Sequence, residues 1–128
     1  MLKKIILGSF LMASMTASFA GDFLPANDAF LFSKTEVKNE LVLIWKMPPG
    51  YFLYKNKIFF SDNVTPKNWP KGKFEHDDEF GNVEIYGTLL EININKKDIK
   101  NNKLTVYYQG CKLHEICYLP QIKDITVN

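Results

Sequence analysis

Apolar and polar residues alternate along most of this chain with a period near two, the repeat of a β-strand, and beyond residue 28 no stretch sustains the 3.6-residue apolar period of a capped helix. Leu90, Ile92 and Ile94 alternate with Glu91, Asn93 and Asn95, which predicts a strand burying one face. Leu41, Leu43 and Trp45 alternate with Val42 and Ile44, a run apolar on both sides that suits the middle of a sandwich. Further strands are predicted over residues 104–108, 122–127, 29–33, 52–60 and 83–86. Turn chemistry separates them at Pro48-Pro49-Gly50, at residues 66–72 around Trp69, at Gly81-Asn82 and along the polar run 96–103. Seven or more short strands at this spacing predict an all-β fold, an immunoglobulin-like antiparallel β-sandwich, with a closed barrel as the alternative.

The first residues follow another logic. Lys3 and Lys4 precede an apolar run over residues 5–12, and Ser18-Phe19-Ala20 forms a small-x-small cleavage site, so residues 1–20 are expected to be a signal peptide cut after Ala20. The apolar run is too short and too interrupted for the roughly 20 residues of a spanning helix. Gly21 stands where lipoprotein processing needs a cysteine. Residues 21–128 are then expected to form one exported domain. The leader holds two of the sixteen basic residues and none of the fourteen acidic ones, which leaves the remainder formally neutral. No basic stripe remains to track a phosphate backbone, so no nucleic-acid partner is expected.

Both cysteines, Cys111 and Cys117, lie in the exported part, where disulfides form and persist, and with only two present their pairing is unambiguous. A strand running into Cys111 and returning from Cys117 would set the sulfurs opposite each other across a hairpin end. Closing a loop of about seven residues restrains the unfolded chain by only about 2 kcal/mol, against nearly 5 kcal/mol for a loop of about 100 residues, so the bond is poorly placed as a staple. On the residues alone three uses stay open: a structural bond, a redox pair, or a metal site. Cys111, His114 and Cys117 have the C-x2-H-x2-C spacing of soft ligands, one short of a closed zinc or copper(I) site unless His76 or Met47 joins them.

The order of motifs narrows this. Phe23-Leu24-Pro25-Ala26, Leu43-Ile44-Trp45, Gly50-Tyr51-Phe52-Leu53-Tyr54-Lys55, Asp78-Glu79-Phe80, Glu84-Ile85-Tyr86 and finally Tyr108-Gln109-Gly110-Cys111 with Cys117-Tyr118 occur in sequence. Together they resemble the N-terminal periplasmic domain of the bacterial thiol:disulfide interchange protein DsbD, over nearly the whole of residues 21–128.

That resemblance implies an immunoglobulin-like sandwich in the periplasm whose Cys111/Cys117 pair cycles between dithiol and disulfide without a cofactor. It implies a protein-disulfide reductase component: electrons arrive from a thioredoxin-like donor domain and leave to thioredoxin-fold acceptors such as disulfide isomerases and cytochrome c maturation proteins. As a lone domain it would be a relay rather than a self-sufficient enzyme. The membrane electron-transfer domain that recharges the family pair is expected to be encoded separately or missing. By the same resemblance Cys117 forms the mixed disulfide with partners and Cys111 resolves it. Phe80 belongs to a cap loop with Asp78, Glu79 and Gly81, while Phe23, Phe52 and Tyr54 line the surroundings. This chain departs from the pattern in joining Gly81 directly to Phe80, in carrying Phe52 where tyrosine is common, and in Leu119 where the family has a proline. A non-catalytic binding sandwich with an inert disulfide, or a Cys/His metal carrier, is the rival expectation.

Overall fold

The computed structural model describes residues 23–128, so the expected leader at residues 1–20 lies outside the described residues. In chain order the strands are β1 (Leu31–Val37), β2 (Glu40–Lys46), β3 (Tyr51–Tyr54), β4 (Phe59–Phe60), β5 (Lys73–Asp77), β6 (Gly81–Gly87), β7 (Leu89–Asn95), β8 (Lys103–Tyr108), β9 (Gly110–Lys112), β10 (Ile116–Cys117) and β11 (Gln121–Thr126). Three antiparallel sheets result, ordered β1-β2-β7, β10-β9-β3-β6-β5 and β11-β8-β4. No helix among the described residues is long and apolar enough to cross a membrane.

The alternating residues do what their spacing dictates. Leu43 lies opposite Ile92 and Trp45 opposite Leu90 across β2 and β7. Their side chains enter one apolar cluster with Leu104, Val106 and Tyr108 of β8 and with Tyr51 and Leu53 of β3. Trp45 and Tyr108, both fully buried, meet edge-to-face at 5.5 Å, and Phe32 packs on the indole at 5.0 Å. Each fully buried aliphatic or aromatic side chain of this kind contributes roughly 1.5–3 kcal/mol, which makes this cluster the main source of cohesion between the sheets.

Three local expectations need correction. Residues 26–29 form a helical turn, α1 (Ala26–Ala29), and the strand expected at 29–33 starts at Leu31 and runs to Val37. Pro25 sets the entry to that turn with φ −59°, and Ala29 and Phe30 are buried as its inner anchor. The single strand expected over 52–60 is two, in different sheets, because a 3-10 turn at Lys55–Lys57 carries the chain from one sheet to another. Strand β5 was not expected from its sequence: Lys-Phe-Glu-His-Asp forms a sheet edge, Phe74 is exposed, and little apolar burial marks the segment.

Strand β3 links core to surface. Its alternation sends Tyr51 and Leu53 into the main cluster and Phe52 and Tyr54 to the other face. There Tyr54 joins Val83, Ile85 and Cys111 in a second, smaller apolar cluster, with Phe52 packed against it. Gly110 enables this close pairing. A Cβ there would run into the Phe52 carbonyl oxygen and come within 2.7 Å of the Phe30 ring. Gly110→Ala should therefore destabilise the protein by roughly 1–3 kcal/mol, seen as a lower urea midpoint; an unchanged midpoint would show that β3 and β9 can separate freely.

Candidate functional site

Strands β9 and β10 form a hairpin in which Cys111 stands directly opposite Cys117. The Tyr118 N–H donates to the Gly110 carbonyl at 2.9 Å, so the backbone bonds flank the cysteine pair instead of joining it. In antiparallel sheets that is the position where facing residues approach most closely. The Cα atoms are 3.9 Å apart and the sulfurs are joined at 2.10 Å. The reversal runs through Leu113, His114 and Glu115, closed by the Glu115 N–H donating to the Lys112 carbonyl at 3.0 Å.

The two sulfurs have different surroundings. Cys111 is 2 % exposed, lies opposite Phe52 on β3 and belongs to the small apolar cluster. Cys117 is exposed, because β10 is the outermost strand of its sheet. The Tyr54 hydroxyl oxygen sits 3.3 Å from Cys111 Sγ and donates its proton to Asp77 Oδ2 at 2.6 Å.

Asp77 has a second task. Its Oδ1 accepts the backbone N–H groups of Glu79 (2.7 Å) and Phe80 (3.0 Å), an Asx-type turn that organises the loop between β5 and β6. Asp77 pairs with Gly81 across the hairpin, so Asp78, Glu79 and Phe80 alone span the reversal. Gly81 closes it at φ +77°, a left-handed conformation that favours glycine. The Tyr54 hydroxyl first, and the Phe80 N–H next, hold the Asp77 carboxyl below its usual range. Burial, and then the bond to Asp77, push the Tyr54 phenol upward.

Between this loop and the cysteine hairpin lies a cleft of about 510 Å³ whose lining includes Phe52, Tyr54, Asp78, Glu79, Cys111 and Cys117. Glu75, Asp77 and Glu115 also line it, together with Lys112, His76 and His114, and Glu75 and Glu115 are ion-paired to Lys73 and Lys112. Three of the residues singled out from sequence, Phe23, Phe80 and Gly81, stand outside the lining. Phe80 packs edge-on against Tyr54 at 5.4 Å with Lys57 Nζ 4.9 Å from its ring centroid, at the margin of the cleft. Phe23 meets Tyr118, the residue after Cys117, edge-to-face at 6.5 Å. Leu24 beside it is held at both ends: its N–H donates to Tyr51 and its carbonyl accepts from Tyr118.

Sequence reasoning missed Lys57, which nothing in its local pattern distinguishes from other surface lysines. It also missed Asp77, although an aspartate three residues before a loop aromatic and four before a glycine has the spacing of an Asx turn. His76 and His114 both border the cleft, while Met47 is buried in the core. Among the described residues no group of three or more His, Cys, Asp or Glu side chains is gathered to hold a metal ion.

Comparison with known proteins gives a consistent picture. Residues 20–128 match the family model described as thiol:disulfide interchange protein DsbD, N-terminal. The thiol:disulfide interchange proteins DsbD of Vibrio vulnificus and Cronobacter sakazakii are 35 % and 32 % identical over 118 and 113 residues, covering 89 % and 85 % of this chain. The chain spans about a fifth of the length of these relatives, 20 % in each case. Its fold is similar to the crystal structure of the Neisseria meningitidis DsbD N-terminal domain in the reduced form, with a TM-score of 0.73 at 24 % identity over 86 % of this chain and 93 % of that one. A second structure from the same organism, of the complex between the DsbD and PilB N-terminal domains, has a TM-score of 0.69 at 24 % identity and covers 84 % of this chain and 88 % of that one. At this identity the likeness is one of fold, the immunoglobulin-like antiparallel sandwich expected from the strand pattern.

The Asp77 geometry has a pH consequence. A folded-state value below the usual one means that its stabilisation of the loop is fully present above the ordinary aspartate value near 4 and is lost as pH falls through the lower folded value. The Glu79 and Phe80 amide proton shifts should titrate together in an NMR series with a midpoint below that ordinary value, and Asp77→Asn should abolish the transition. A midpoint at or above it would mean that the carboxylate does not hold the turn.

Proposed function

This chain belongs to the family of N-terminal domains of the thiol:disulfide interchange protein DsbD, and from that membership we propose that it is a periplasmic electron relay working through a reversible Cys111–Cys117 disulfide. The observation that carries this reading is the asymmetry of the sulfurs, one exposed on a sheet edge and one buried against Tyr54.

Exchange needs a thiolate to approach one sulfur in line while the other leaves. In the recharging direction a donor thiolate attacks Cys117 Sγ. The disulfide breaks, its electron pair goes to Cys111 Sγ, and a mixed disulfide forms on Cys117. The donor's second thiolate then attacks its own bonded sulfur and releases Cys117, so two electrons and two protons enter the pair and the donor leaves as a disulfide. Delivery runs in reverse: the Cys117 thiolate attacks the acceptor's disulfide, and Cys111 attacks Cys117 Sγ to free the reduced acceptor.

The surroundings suit slow chemistry without a partner and fast chemistry with one. Tyr54 stands where it can accept a hydrogen bond from a Cys111 S–H, which favours the protonated thiol, while still donating to Asp77. Phe80 and its neighbours Asp78, Glu79 and Gly81 form the cap loop of this proposal, with Phe52 and Tyr54 as the floor and Phe23 as a prop for Tyr118. Partners are thioredoxin-fold proteins on both the donor and the acceptor side.

A Cys111→Ser variant should accumulate a mixed disulfide with an oxidised thioredoxin-fold protein, visible as a reducible band on a non-reducing gel, whereas Cys117→Ser should not. The wild-type couple should titrate well above about −300 mV, the upper bound for inert structural bonds. Absence of trapping together with a potential below that bound would leave only an exported sandwich with an inert bond.

A further inference from the structure

Lys57 ends the 3-10 turn after β3 and is half-buried, yet among the described residues its ammonium enters no ion pair, although the loop opposite carries Asp78 and Glu79. It lies over the face of Phe80, 4.9 Å from the ring centroid. The same ring also packs at a steep angle against Tyr54, with the centroids 5.4 Å apart. Phe80 is therefore held by a cation and a phenol at the margin of the cleft, and Cys117 is left exposed.

The loop that carries Phe80 is short and bounded by paired strands. Phe80 sits in a three-residue reversal held by the Asp77 carboxylate and closed by Gly81, so a change confined to this reversal moves the ring without disturbing β5 or β6. Swinging inward, the ring would enter the open cleft over the sulfurs.

Resting on the relay reading above, we propose that Lys57 is a positioning residue: its ammonium parks Phe80 beside Tyr54 and so keeps the oxidised pair open to an attacking thiol. Without the cation the ring loses part of its hold at the margin and spends more time over Cys117.

The test is the rate at which dithiothreitol reduces the full folded protein, followed by acid quenching and alkylation of the released thiols. Lys57→Met preserves length and apolar stem but removes the charge, and should slow reduction about two- to five-fold, the range of a partly exposed cation–π contact. Lys57→Arg should restore the rate, because a guanidinium binds a ring face equally well. Phe80→Ala should speed reduction, and in that background Lys57→Met should change nothing. Equal urea midpoints for the variants keep a folding defect from imitating the result. If Phe80→Ala accelerates reduction but Lys57→Met does not slow it, the latch is wrong and the cap loop stands. An unchanged rate in Phe80→Ala removes the cap loop and the latch together. Equal slowing by Lys57→Met with and without the ring would mean that the charge acts directly on the sulfurs, which also overturns the latch.

Discussion

Strand β3 must satisfy two apolar faces within four residues, and the rest of the molecule is arranged around that demand. Tyr51 and Leu53 join the core shared by the sheets, while Phe52 and Tyr54 need cover on the opposite side. That cover comes from Val83 and Ile85 of β6 and from Cys111 of β9. One sulfur thus becomes part of a packed surface. The hairpin that carries it ends immediately beyond, so its partner sulfur has no further strand to hide behind. The chemical inequality of the two cysteines follows from strand order, with no special group needed to create it.

The loop opposite is built from equally ordinary parts. An aspartate at the end of β5 accepts the amides of a tight reversal, and a glycine at the start of β6 supplies the left-handed residue that completes it. What is unusual is that the same carboxylate also accepts the Tyr54 hydroxyl. Loop and sulfur pair are consequently connected through one phenol, over two short polar contacts, across a junction that is otherwise apolar.

Much of this was legible in the sequence, and what was not has definite physical causes. The core strands β2, β7 and β8 declare themselves because burial on at least one face imposes the two-residue alternation. The pairing of Cys111 with Cys117 follows from their spacing and number. Strand β5 and the far half of β1 escape notice because edge strands with exposed faces carry polar residues freely. The break in residues 52–60 is hidden because the chain changes sheets while both halves remain aromatic and apolar. Lys57 is invisible for a different reason: its relation to Phe80 spans twenty-three residues of sequence and exists only after β3 and β6 have paired.

The shortness of the cysteine loop has a thermodynamic corollary. In a cycle linking folding and reduction, the extent to which folding favours the bonded form equals the stability the bond adds to the fold. A ring spanning so few residues adds little, and at the rim of a sheet it supports no core packing on β10. The folded scaffold therefore favours the closed ring by only about 2 kcal/mol, and the core that holds the sheets together is built without Cys117.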